Sequence, residues 1–404
     1  MPATHTHHTH HTHLCLVSAQ ATPNLLPLLD EAWRPNKVVL ACSAPMKARA
    51  LALRAVVQTK AQGMEVVILD LPDAYNYAAL SDTFLNYLAE HEHEDIALNV
   101  TGGTKLMAVA AQEAFREAGK PVFYVSVETD EVLLIGASSN DQPVAPLRAK
   151  LKVHEMLRAH GYQVTTQAPP QISRDLRDLT ARLIDHVASS GRALGVFNAL
   201  ARAARNANLR AELDEAQRDS RALGAIIALF EDAALLQQAG YALIFKSEAS
   251  RVFANGGWLE AHVFEALQSL RAQHEALTDV ALGLRVQFES TQGSAASNDK
   301  NEIDVAFLYR NTLHLIECKT ANLALPGAGG DDNKATEAIY KMESLLKLGG
   351  LRTKGMVVDY RGQFASNPAN QKRAQEADIE IVSGAQLKDL KGLISRKWLS
   401  TTKA

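Results

Sequence analysis

Between residue 14 and about residue 137, short β-rich runs alternate with stretches of helical length. The strands read as residues 14–18, 37–41, 65–69, 96–100 and 122–126, with helical stretches such as 45–61 and 75–91 between them. Strands joined by a helix's length of chain pair in parallel, and their near-continuous apolar runs need cover on both faces. The alternation predicts a Rossmann-like α/β domain, a mostly parallel sheet between two helical layers. A further run, 131–135, follows the turn at Thr129-Asp130 and predicts an antiparallel edge strand.

Downstream the pattern changes. A linker with Gln142, Pro143 and Pro146 leads through a short strand-helix stretch to Pro169-Pro170. Residues 173–238 are helical in pattern and end in a small hairpin about Gly240, which predicts a winged-helix-like connector. Arg202, Arg205 and Arg210 are its candidate DNA-reading cations. Glu212, Asp214 and Glu215 follow at once, so a packing connector is the simpler expectation. Gly256-Gly257 then opens a second α/β segment: a helix over 258–270, strands near 285–289, 302–308 and 313–319, a helix over 335–348, and strands over 355–359 and 379–382. The expected division is a His/Thr-rich, tag-like leader over 1–13, an α/β ligand domain over 14–148, the connector over 149–254 and a last α/β domain over 255–404. Six histidines lie in the leader, but no fold is expected to hold them.

The chemistry concentrates in residues 301–319. Two β-rich runs flank Arg310-Asn311, which predicts a two-residue hairpin with Tyr309 paired to Thr312. Continued outward, that register sets Asp304 opposite Glu317, on a face otherwise formed by Ala306, Leu308, Leu313 and Leu315. Directly opposed like charges repel. A divalent cation, Mn²⁺ or Mg²⁺, would reconcile them, since both ions take oxygen ligands. Lys319 shares the face of Glu317 by the period of two, and its ammonium suits the charge that grows on a phosphate under attack. Glu260 lies on the apolar stripe of the preceding helix with Val263, Phe264 and Leu267, as a third possible metal ligand or a half-solvated boundary residue. Glu302 is a weaker candidate, and His314 faces the other way as a packing residue. Beyond them, Tyr340 and Lys341 are placed to touch a substrate phosphate, and the Gly- and Pro-rich stretch 324–330 reads as a loop beside the site.

Composition bounds the partners. The net charge of −3 excludes a generally basic polyanion binder, so any nucleic-acid contact rests on local groups such as Lys388, Lys391, Arg396, Lys397 and Lys403. Cys15, Cys42 and Cys318 are too few and too scattered for a disulfide framework or a zinc site. No apolar run approaches a membrane span and no signal peptide opens the chain, so a cytoplasmic protein is expected.

The other informative run is Asn99-Val100-Thr101-Gly102-Gly103-Thr104-Lys105, which ends a strand and opens a helix. Such a turn stands at the carboxyl edge of an open sheet, where ligands bind and a helix start favours anions. It matches neither a Walker loop nor a dinucleotide fingerprint, and a tight turn with Thr101 or Thr104 as helix cap is the plain alternative. The turns with Ser18, Gln20 and Thr22 and with Ser43 and Met46 follow the first two strands. All three turns are expected to line one polar pocket.

Two resemblances follow. Asp304 with Glu317-x-Lys319 resembles the PD-(D/E)xK restriction-endonuclease-like superfamily, with Ile303 in place of the usual proline. That resemblance implies Asp304 and Glu317 as metal ligands, Lys319 as catalytic lysine and Glu260 as the helix acid. The whole chain resembles the CRISPR-associated CARF-domain nucleases of type III systems, on N-V-T-G-G-T-K-L-M, N-E-I-D-V, I-E-C-K-T and Y-K-M-E-S-L-L-K-L-G-G. It implies that Thr101, Gly102, Gly103, Thr104 and Lys105, with the Ser18–Thr22 and Ser43–Met46 turns, bind a cyclic oligoadenylate, a ring of four being favoured. It also implies a homodimer across the symmetric ring, and cleavage of DNA or RNA switched on by that ring. The rivals are a ligand-responsive winged-helix transcription regulator with an inactive nuclease fold, and a constitutive repair or restriction nuclease.

Overall fold

Strand β1 (Thr12–Leu16) is buried along its whole length, as a central strand of a parallel sheet must be. It begins two residues before the expected start. His13, expected in the leader, is fully buried in it against Phe123, while His10 and the His11 N–H both bond Asp95. The structure is a computed structural model that describes residues 10–136, 144–169, 171–288, 300–320, 333–362, 364 and 367–400, in two compact units. Residues 1–9, Gln142, Pro143, Pro170, the loop 324–330 and Lys403 lie outside the described residues.

The first unit comprises Met1–Val164, Gln287–Lys300 and Leu348–Arg352. After β1 come α1 (Thr22–Leu29), β2 (Lys37–Cys42), α2 (Lys47–Lys60), β3 (Glu65–Asp70), α3 (Tyr77–Glu90), β4 (Ile96–Asn99), α4 (Lys105–Glu117), β5 (Val122–Ser126), β6 (Glu131–Ile135), β7 (Val144–Pro146) and α5 (Val153–Ala159). The sheet order is β3-β2-β1-β4-β5-β6-β7, parallel through β5 and antiparallel at β6 and β7. The order reverses between β1 and β4, which makes their carboxyl ends the switch point of the sheet. Leu14, Leu16, Val39, Leu98, Phe84, Met107 and Phe115 form the core beneath α3 and α4.

The second unit comprises Thr165–Val286, Asn301–Lys347 and Thr353–Ala404. Strand β8 (Tyr162–Thr166) leads into α6 (Arg174–Asp185), α7 (Val187–Ala203), β9 (Arg210–Glu212), α8 (Glu215–Asp219), α9 (Arg221–Asp232), β10 (Leu236–Ala239), β11 (Ala242–Phe245) and α10 (Glu248–Val252). Strands β10, β11 and β9 form a small antiparallel sheet, in the helix–strand–helix–helix–hairpin order of a winged helix. The helix in the recognition position is α9. Arg202, Arg205 and Arg210 instead fall on α7, a 3₁₀ turn and β9. The exposed positions of α9 are Arg221, Ala222, Gly224, Ala225, Ala228 and Asp232, with one cation and one anion among them.

Then follow α11 (Trp258–Arg271), β12 (Leu277–Phe288), β13 (Lys300–Tyr309), β14 (Thr312–Lys319), α12 (Asn333–Leu346), β15 (Lys354–Asp359), α13 (Pro368–Glu376), β16 (Ile379–Ser383) and α14 (Leu390–Ile394). Their sheet runs β16-β15-β14-β13-β12-β8. One core runs through connector and final segment alike, from Leu179, Phe197 and Phe230 to Trp258, Phe264, Val305 and Ile316. The connector helices are thus packed into the unit that carries the acidic hairpin.

Candidate functional site

The hairpin forms in the expected register, with Tyr309 opposite Thr312 and Val305 opposite Ile316. Its two turn residues hold φ of 47° at Arg310 and 51° at Asn311, the left-handed pair that suits the twist of a two-residue hairpin. His314 stacks on Phe307 at 4.6 Å between ring centroids, on the face away from the acids, as expected of a packing residue.

Strand β14 lies between β13 and β15, so Glu317 is fully buried and Asp304 is 9% exposed. Asp304 Oδ2 accepts the Cys318 N–H at 2.7 Å. Glu317 accepts from the Lys319 ammonium at Oε1, and from Lys341 on α12 at 2.6 Å and 2.7 Å through both oxygens. Lys341, expected on a substrate phosphate, therefore spans the Glu317 carboxylate. The sequence could not announce this, because the reach of Lys341 depends on how α12 packs across the sheet. Tyr340, its neighbour, is 52% exposed, with Arg373 5.3 Å from its ring centre.

The charges are under strain. Burial, and then Glu317, push the Asp304 carboxyl up to about 7, against the pull of Lys341, Lys319 and the Cys318 N–H. Burial, then Asp304, Glu302 and Glu317, push Glu260 up to about 8, with Lys319 opposing. Lys319 is held above its ordinary range: burial works against its charge, but Glu317 and Asp304 outweigh it. The Cys318 thiol is raised well above its usual value by burial and by the same acids.

Among the described residues no three His, Cys, Asp or Glu side chains form a ready metal cage. Lys341 and Lys319 neutralise Glu317. The donor set still fits a hard divalent cation, since all three candidates are carboxylates and two of them titrate far above the usual range. Unfolded, both groups would titrate at about 4. The folded, metal-free protein thus keeps protons that the unfolded chain releases, so this contribution to stability is whole below about pH 4 and lost as pH rises through about 7 and 8. The melting temperature without metal should fall across that window, less steeply in Asp304→Asn, and Mn²⁺ should raise it most at the alkaline end. Equal slopes in the two proteins would count against this charge balance.

In the first unit the three turns occupy the carboxyl ends of adjacent strands β2, β1 and β4. Gly102 has no room for a side chain: a Cβ there would stand 2.0 Å from the Leu16 carbonyl oxygen. Gly103 needs its freedom for a φ of 74°. Thr104 caps α4, accepting the Met107 N–H at 3.2 Å and donating to the Ala74 carbonyl. Thr101 donates to Asn99 Oδ1 at 2.8 Å and accepts the Val125 N–H at 2.7 Å. Ser18 bonds back to the Gln20 backbone, Gln20 faces Gly350, Thr22 points to the Met156 sulfur and Ser43 is buried. Most of the expected ligand residues therefore build the turns, while Lys105 is exposed at the start of α4 and Met46 is half-buried. Buried Asn24 and Asn99 tie the turns together, through the Leu16 carbonyl at 2.8 Å and the Pro23 carbonyl at 2.9 Å. A polar residue closing the apolar strand at Asn99 was the signal for them.

Comparison with known proteins finds matches to two segments of the chain. Residues 12–156 match the family of the Card1 CARF domain, and residues 247–401 the Card1-like endonuclease domain. No curated protein matches. Among solved structures, protein VC1899 from Vibrio cholerae superposes with a TM-score of 0.82 at 23% identity, covering 95% of this chain and 97% of that one. Can2 from Sulfobacillus thermosulfidooxidans, solved with cyclic tetra-adenylate, gives 0.76 at 24% identity, covering 98% and 100%. A type III CRISPR defence DNA nuclease activated by cyclic oligoadenylate gives 0.53 at 19% identity, covering 86% of this chain and 45% of its own. The two matched families together span well over half of the sequence, and the chain belongs to the CARF-domain endonucleases of the Card1 type.

Proposed function

We propose that this protein is a metal-dependent nuclease of type III CRISPR defence, switched on by a cyclic oligoadenylate. The observation that carries the reading is the buried pair Asp304 and Glu317 on adjacent strands, with Lys319 on the Glu317 side chain. Asp304, Glu317 and Glu260 would hold Mn²⁺ or Mg²⁺, which polarises a phosphodiester and lowers the pKa of an attacking water. Lys319, kept protonated by its acidic neighbours, donates to the phosphate oxygen on which charge grows. Lys341 must yield Glu317 oxygens for this arrangement to form, and then stands free to meet the substrate backbone.

The activator reading rests on the switch-point turns. The start of α4 presents positive dipole and the Lys105 ammonium to the phosphates of a ring, beside the Ser18–Thr22 and Ser43–Met46 turns. A symmetric ring is held best by two copies, so the working form is a homodimer. The ring must favour the active arrangement over the resting one in order to switch it. The exposed face of α9 carries one cation, Arg221, against one anion, Asp232, whereas a DNA-reading regulator would need a cluster of cations there.

With Mn²⁺ and ring present, Lys319→Met should lower turnover by about 10²–10³-fold, the loss typical of one charge-stabilising donor. Wild-type cleavage should stop on chelation of the metal. Cleavage of equal rate in Lys319→Met would remove the lysine from the mechanism.

A further inference from the structure

Two buried contacts join the connector helices to the end of the strand that carries Lys319. Asn198, 2% exposed on α7, donates its amide to the Thr320 hydroxyl at 3.0 Å and to the Thr320 carbonyl at 3.3 Å. Tyr360, fully buried just beyond β15, donates its hydroxyl to the Leu183 carbonyl on α6 at 3.0 Å. Its N–H bonds the Lys319 carbonyl, also at 3.0 Å. The carbonyls of Lys319 and Thr320 are thus each held by a group that the connector itself supplies or fixes.

The third side is closed by the turn that leads into α11. Gly256, at φ 135°, approaches so closely that a Cβ there would stand 2.8 Å from the Thr320 hydroxyl. The Thr320 side chain therefore lies between the connector amide and the start of the helix that carries Glu260. Trp258 packs edge-on against Tyr360 at 5.0 Å between ring centroids and fixes the second contact. Asn198 Oδ1 finds no partner among the described residues. A half-satisfied amide in a core is costly, and an apolar residue would pack there more cheaply. What the amide does at that position is donate to Thr320.

We infer that Asn198 is a positioning residue for the nuclease reaction: through Thr320 it fixes the backbone that aims the Lys319 ammonium. The inference rests on the proposed nuclease reading, and it makes the connector part of the active site's support. An ammonium displaced by an ångström stabilises the transition state poorly while the substrate still binds.

The test compares wild type, Asn198→Ala, Thr320→Val and Thr320→Ser as full-length protein, with Mn²⁺, cyclic tetra-adenylate and labelled single-stranded DNA. For Asn198→Ala and Thr320→Val, kcat should fall on the order of 10²-fold. KM should stay within about twofold, the pattern of an interaction felt only in the transition state. Thr320→Ser, which keeps the hydroxyl, should retain most of the rate. Hydrogen exchange should quicken in residues 316–320 of the two impaired variants and not in β12 or β16. An Asn198→Ala protein that cuts as fast as an active wild type would overturn the inference alone, even if it melts earlier. A wild type that cuts neither this DNA, plasmid DNA nor RNA with cyclic tetra- or hexa-adenylate would overturn the nuclease reading and this inference with it.

Discussion

Glu317→Ala should lower turnover by roughly 10³-fold, because losing the proposed metal ligand forfeits several kcal/mol of transition-state charge stabilisation. The fold should survive. Glu317 faces buried Asp304 as a like charge, and its removal relieves the repulsion that helps lift the Asp304 carboxyl to about 7. The two lysines it leaves behind are not trapped: their side chains are 26% and 37% exposed and can reach water. The variant should also bind Mn²⁺ more weakly by calorimetry, with a circular dichroism spectrum like that of wild type. A protein that unfolds on this change would mean that the Glu317 cluster is a structural ion-pair network first and a reaction centre second.

The second large effect is expected at the opposite end of the chain. Gly102→Ala places a methyl group 2.0 Å from the Leu16 carbonyl oxygen, a backbone atom at the end of β1 that cannot turn aside. Either β1 or the turn must move, and overpacking of this kind typically costs about 1–3 kcal/mol. If the whole cost falls on the ring-binding arrangement, affinity drops by up to about 100-fold. Binding of cyclic tetra-adenylate should weaken accordingly, while Mn²⁺ binding in the second unit stays unchanged. Thr104→Ala should act more gently: it removes the cap of α4, worth about 1 kcal/mol, and leaves the path of the turn intact. Undiminished ring affinity in Gly102→Ala would place the ligand elsewhere.

The parts of the structure that were legible in the sequence are those fixed by short-range rules. The hairpin register followed from a two-residue turn and a period of two, and Tyr309 does face Thr312. The parallel sheet followed from alternating strand and helix lengths, and its order reverses where the TGGT turn stands. What the sequence concealed depends on packing between distant segments. Lys341 and Glu317 are 24 residues apart, and only the seating of α12 on the sheet joins them. Asn198 and Thr320 are 122 residues apart, and no local pattern marks the amide as a partner of the strand end. The His/Thr run is a different case. Thr-His alternation looks like a polar leader, yet His13 is fully buried, uncharged and without a hydrogen-bond partner among the described residues, its basicity lowered to about 3 by burial. Gly102 and Thr104 were expected to meet a ligand; their first duty is to let the chain turn.

A ring bound at the first unit's turns should govern cutting by the second unit's carboxylates. The most direct test is the cleavage rate of labelled single-stranded DNA, plasmid DNA and RNA with Mn²⁺, with and without cyclic tetra- and hexa-adenylate, beside Glu317→Ala. One ring should raise the rate at least several-fold and up to about 150-fold, the span of coupling energies between linked sites, and Glu317→Ala should abolish the gain. Cutting at the same rate with no ring present would mean that the ring does not switch the nuclease.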